Sequence, residues 1–145
     1  MNDRYLFKAK RKYDSKFYKK GEWVDGAYYI EPYTDKCFII QWNSTGLGFN
    51  EFIEVDGSSV CQCTGLKDKN GKLIWENDIC RRILLPTKRI ETNFRIAYVP
   101  YKCCLSAIDL DGSNVTFLSD YINNQYEVEV IGSAIDNPEL LEVGE

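Results

Sequence analysis

Short runs in which apolar and polar side chains change places at every second residue recur along this chain, and a period of two is the mark of a strand with one buried face. In YLFKAK, Tyr5, Phe7 and Ala9 share one face, and Leu6, Lys8 and Lys10 the other. Trp23-Val24 and Tyr28-Tyr29-Ile30 flank Gly26, and Cys37 to Trp42 gives another apolar stretch after the turn-like PYTD. In STGLGFNEFIEVDGSS, Gly46, Gly48 and Asp56-Gly57 punctuate short strands with loops. DICRRILL up to Pro86 and NFRIAYVPY up to Pro100 read as strands, and Asp111-Gly112 marks a hairpin between CCLSAIDL and VTFL. In YEVEVIG, Val128 and Val130 alternate with Glu127, Glu129 and Ile131. The pattern predicts an all-β chain of roughly eight to eleven short strands in a barrel or sandwich. Helix is expected only as a turn near Leu118 to Asn124 and at NPELL, where Asn137 is placed to cap and Pro138 to take the first helical position.

The stretch TGLKDKNGKLIWENDI, residues 64 to 79, holds lysines, acids and a tryptophan around a turn. Asn70 and Gly71 both tolerate positive φ, and Asp68 can accept from amides two residues on, so a hairpin accounts for it without a ligand. Lys67, Lys69 and Lys72 then sit in solvent around the tip. A phosphate-binding loop needs a longer glycine-rich arc leading into a helix, and here one glycine leads into Leu73-Ile74-Trp75. Glu76 and Asp78 are two apart, which on a regular strand is one side, but adjacent carboxylates on one rim repel, whereas catalytic pairs come from facing elements. The expected role of Asn77 and Asp78 is hydrogen bonding to backbone where the chain turns into DICRRIL.

Length and composition add limits. The 145 residues suit one domain, 1–145, or an N-terminal β subdomain of about 1–60 packed on a C-terminal one of about 61–145. Hydrophobic residues are 44% and aromatics 14%, enough for a packed interior. No run reaches a membrane span, and the charged start, MNDRYLFKAKRKYDSK, lacks the apolar stretch of a signal peptide, so a soluble, cytoplasmic protein is expected. In that compartment Cys37, Cys61, Cys63, Cys80, Cys103 and Cys104 are expected as unbridged thiols. C-x-C and C-C lack the spacing of a zinc knuckle, and no metal or cofactor set is expected. With no histidine in the chain, Ser-His-Asp and Cys-His catalysis within it are excluded. No catalytic constellation emerges, and the chain is expected not to be an enzyme.

The net charge of −4 is unevenly spread. Residues 1–20 hold eight basic side chains (Arg4, Lys8, Lys10, Arg11, Lys12, Lys16, Lys19, Lys20) against Asp3 and Asp14, while Cys103 to Glu145 carries nine acids and no lysine or arginine. Such ends can answer each other or meet separate partners.

Three motifs together resemble one family. TGLKDKNGKLIWENDI, carried by Thr64, Gly65, Leu66, Asp68, Asn70, Gly71, Glu76 and Asp78, and EVIGSAIDNPELL at 129–141, carried by Ile131, Gly132, Asn137 and Pro138, look like the YopX family of phage and prophage proteins; W-V-x-G-x-Y from Trp23 to Tyr28 is a weaker third match. The resemblance implies an all-β protein around a small SH3-like barrel and carries no established activity. Asn77 stands where the family usually has glycine, and Ser133-Ala134 replaces the usual asparagine and aliphatic pair. Asparagine is next best at positive φ, so the turn is expected to survive.

The expected function is that of a non-catalytic accessory module of a phage or prophage, in the bacterial cytoplasm, acting on a protein partner or on a second copy of itself. The alternative is a small β-barrel that binds nucleic acid through the basic, aromatic N-terminal segment, with Lys8, Lys10, Arg11, Lys12, Trp23 and Tyr28 as candidate contacts. The acidic C-terminal third and a pI near 5.0 weigh against it.

Overall fold

A computed structural model describes residues 3–42 and 50–142. The chain divides into two compact units, Met1–Cys63 and Thr64–Glu145. The turn signal at Gly46 and Gly48 lies outside the described residues.

In the first unit, β1 (Phe7–Lys10), β2 (Trp23–Ile30), β3 (Cys37–Trp42), β4 (Asn50–Val55) and the start of β5 (Cys61–Lys67) form an antiparallel sheet in the order β4-β3-β2-β1-β5. Register follows from which faces are apolar: Ala9 pairs with Val24, Tyr28 with Ile39, and Ile39 with Ile53. One face therefore gathers the buried Ala9, Val24, Ile39, Ile53 and Val55, with Phe7, Tyr28, Cys37 and Val60 against them. Each large aliphatic side chain buried there is worth roughly 1.5–3 kcal/mol. Gly26 does not break β2. A Cβ there would run into the Ile40 carbonyl of β3, so the glycine permits the two strands to approach. Beyond β1 the chain returns to the end of β4 through an isolated bridge of Arg11 to Val55, with Asp56 N donating to Lys10 O (2.9 Å) and Lys12 N to Glu54 O (3.1 Å).

In the second unit, β5 continues to pair with β6 (Leu73–Trp75). The five strands β7 (Asp78–Leu84), β8 (Arg89–Val99), β9 (Cys104–Asp109), β10 (Val115–Phe117) and β11 (Tyr126–Ser133) form an antiparallel sheet in the order β10-β9-β8-β7-β11. Its core is Ile74, Cys80, Phe94, Ile96, Ala107, Tyr121 and Val128. The expected turn of helix is α1 (Leu118–Tyr121), four residues long. It serves to set Tyr121 edge-on to Phe94 at 4.9 Å between ring centroids, with the hydroxyl donating to Asp109 Oδ1 at 2.6 Å.

The chain is mostly β with little helix, as its alternation predicts. Among the described residues no ladder joins β10 to β11, so the sheet is open and the SH3-like barrel that the family resemblance implies lacks its closing pair. Alternation in β11 also stops short of its end. Val130 faces Cys80 and Gly132 faces Ile79, which leaves Ile131 as the extra residue of a bulge.

Candidate functional site

The motif of the second unit is a lock built around Asp68. The backbone makes a turn with Gly71 N donating to Asp68 O (3.0 Å), and Gly71 takes the positive φ, at 80°. Asn70 is not among the positive-φ residues, so of the two expected to share that conformation only the glycine adopts it. Asp68 Oδ1 accepts from Asn70 N and Lys72 N, both at 2.9 Å, as its position in the turn dictates. Its Oδ2 accepts from Val130 N at 3.0 Å, and Lys69 N donates to Val128 O at 2.8 Å, which ties the tip to β11. Burial opposes the charge on Asp68, but three backbone amides hold its carboxyl below the ordinary value. Thr64 Oγ1 donates to Ile74 O (2.7 Å) and accepts from Leu66 N (3.1 Å), and Gly65 sits at φ 80°. Leu66, Lys67, Lys69 and Lys72 are exposed around the hairpin.

Glu76 and Asn77 form a two-residue turn between β6 and β7. Glu76 and Asp78 are therefore not neighbours on one side of a strand. Asp78 is buried and accepts from Trp75 N through Oδ2 at 2.8 Å. Asn77 takes φ 68°, the conformation for which glycine or asparagine is suited, and its backbone bonds to Ile96 and Ala134. In the closing motif Asn137 does not cap the 3-10 turn Pro138–Leu141 with its side chain; Oδ1 accepts instead from Ser133 N at 3.2 Å, while Pro138 opens the turn as expected. Gly132 leaves the room this requires, since a Cβ there would lie 2.7 Å from Asn137 Oδ1 and 2.8 Å from Leu140 Cδ1.

The first unit presents different chemistry. Lys8 and Lys10 stand over Trp23, their ammonium nitrogens 4.6 and 5.3 Å from the ring centroid. Arg11 lies over Tyr18 at 4.1 Å. Lys12 pairs with Glu54 at 3.3 Å, and that hydrogen bond raises its pKa. At the acidic end Glu127 pairs with Lys88 (2.8 Å) and Glu129 with Lys69 (3.9 Å), so each charged end finds counter-charges within its own unit. Tyr28 packs on Phe7 at 5.4 Å and donates to Cys37 Sγ at 3.3 Å. Burial, then the Cys37 bond, pushes its hydroxyl up to about 12.

Absent from the sequence reading is the outer face of the same sheet. Tyr29, Phe38 and Phe52 alternate with the core residues of β2, β3 and β4 and therefore point the other way. Their ring centroids are 6.3, 6.5 and 6.4 Å apart, and Tyr29 is 41% and Phe52 58% exposed. The signal was available in part: a hairpin turning at PYTD pairs Tyr29 with Phe38.

Cys61, Cys63 and Cys80 are core residues, and burial, with Asp78 and Asp68 nearby, pushes the Cys80 thiol up. Among the described residues no three histidine, cysteine, aspartate or glutamate side chains are grouped to hold a metal ion, and no helix is long and apolar enough to cross a membrane. No curated protein matches the chain significantly. The family model described as YopX protein matches residues 7–142, which takes in both units, and the chain belongs to the YopX family.

Proposed function

We propose that the protein is a non-catalytic phage or prophage accessory module that binds a protein partner through the outer face of β2, β3 and β4. The observation that carries this reading is the cluster of Tyr29, Phe38 and Phe52, three rings against one another, of which Tyr29 and Phe52 are exposed and Phe38 is half-buried. Exposed aromatics grouped on a rigid sheet offer large contact area at small entropic cost, which is the composition of interface centres. A non-catalytic role is supported by the fate of the motif carboxylates, since both oxygens of Asp68 and Oδ2 of Asp78 are taken by backbone amides. Nucleic-acid binding by the N-terminal segment ranks second. Lys8, Lys10 and Trp23 form a cationic aromatic surface, but Lys12 is held by Glu54 and Arg11 is stacked on Tyr18.

The test is affinity capture from extract of an infected or lysogenic host, with and without nuclease, using the native chain and Phe52→Ser. A partner captured regardless of nuclease and lost with Phe52→Ser is the expected result. Capture that disappears on nuclease treatment and survives Phe52→Ser would reverse the order of the two readings. Sedimentation at several concentrations shows whether the partner is a second copy.

A further inference from the structure

Lys10, Arg11, Lys12, Lys20, Gly21 and Asp56 line a concavity of about 380 Å³ in the first unit, where the chain leaving β1 meets the end of β4. A volume of this order suits a small ligand. Arg11 is only 7% exposed, and its Nε makes no hydrogen bond. A guanidinium cannot shed its proton, so an unpartnered donor at this depth is relieved only by an acceptor brought to it. The stack on Tyr18 covers a face of the guanidinium and supplies no acceptor in its plane.

The charge balance points the same way. Four cationic side chains line the concavity against one carboxylate, Asp56, whose Oδ1 accepts from Ser58 N at 3.0 Å and Ser58 Oγ at 2.7 Å, and Glu54 pairs with Lys12 beside it. A lining with several ammonium and guanidinium donors matches the oxygens of a phosphate better than a single carboxylate. We infer that this concavity binds the phosphate or diphosphate group of a small molecule, with the Arg11 guanidinium and the Lys12 and Lys20 ammonium groups as donors. Its surroundings favour a compact ligand over a polymer. The Asp14 carboxylate accepts from Lys20 N at 2.8 Å and the Glu54 carboxylate pairs with Lys12 at 3.3 Å, so acidic side chains flank the lining and a long polyanion would be repelled along its track.

Titration calorimetry of the full chain with pyrophosphate, inorganic phosphate and adenosine diphosphate, at constant ionic strength, tests the site. Saturable binding is expected with Kd on the order of 0.1 mM for at least one of the three. The exposed Lys20→Gln variant should weaken it about tenfold, the loss of one charge-assisted bond. Arg11→Lys, which keeps the charge and removes the planar fork, should weaken it at least as much, and Lys12→Gln serves in its place if that variant does not fold. The inference is overturned by absence of saturation with all three probes, or by binding undiminished in Lys20→Gln. It is equally overturned if only oligonucleotides bind, with affinity that grows with length and falls steeply with salt, since that is the behaviour of a polymer track.

Discussion

The two units use their polar residues in opposite ways. In the second, the acids of the most recognisable stretch turn inward and are consumed by backbone: Asp68 takes three amides and Asp78 a fourth, and each lies buried. In the first, Lys12, Lys20, Tyr18, Tyr29 and Phe52 stay exposed, Lys8 and Lys10 stand over Trp23, and the buried Arg11 stacks on Tyr18 beside a concavity. A motif is thus no guide to where the chemistry lies. The stretch that carries the family motif is spent on architecture, and the exposed aromatic and basic side chains lie in the other unit.

The sharpest break of this contrast is at Asp68. Asp68→Ala orphans three backbone amides and unties the hairpin tip from β11, so a loss of about 3 kcal/mol is expected in denaturant unfolding. Lys69→Ala, beside it, should stay within about 0.5 kcal/mol because its ion pair at 3.9 Å is half-exposed. Equal losses for the two variants would show that the carboxylate does not organise the tip. The same group sets an acid limit. The folded pKa of Asp68 lies below the ordinary 3.8, so its stabilisation is fully present above that value and is lost as pH falls through the folded pKa. Asp68→Asn should therefore flatten the loss of stability below about pH 4, and a variant that loses stability with acid as steeply as the native chain would refute the assignment.

Next in size is Gly132→Ala, expected to cost about 2 kcal/mol because the added methyl meets Asn137 Oδ1 and Leu140 Cδ1. A thermal shift no larger than that of an exposed substitution would mean that the closing segment moves aside freely. Gly71→Val should cost about 1 to 3 kcal/mol: a Cβ there meets nothing within 4 Å, so the whole penalty is the positive φ. The smallest effect on stability belongs to the first unit. Phe52→Ser, more than half exposed, should change unfolding by no more than about 0.5 kcal/mol while abolishing partner capture. A large destabilisation would place Phe52 in the core and erase the distinction between the units.

Much of the fold was legible because it is local. Alternation in YEVEVIG, DICRRILL and NFRIAYVPY depends on residues two apart, and each became a strand; Gly71 and Asn77 advertise positive φ; Asp68 advertises its turn, since the amides it binds at Asn70 and Lys72 lie within four residues. What stayed hidden joins residues far apart in the chain. Val130 reaches Asp68 across 62 positions, a bulge at Ile131 ends the alternation of β11, and Asn137 spends its side chain on Ser133 because Gly132 leaves space, although its position before a proline reads as a cap. The sheet left open between β10 and β11 belongs here too, since closure depends on how strands coil and not on which residues alternate. The concavity at Arg11 depends on a single bridge to Val55, 44 residues on, that brings Asp56 beside Lys10 and Lys12. Periodicity and turn chemistry act over a few residues and specify elements, whereas burial, register and the meeting of charges arise only once the elements pack.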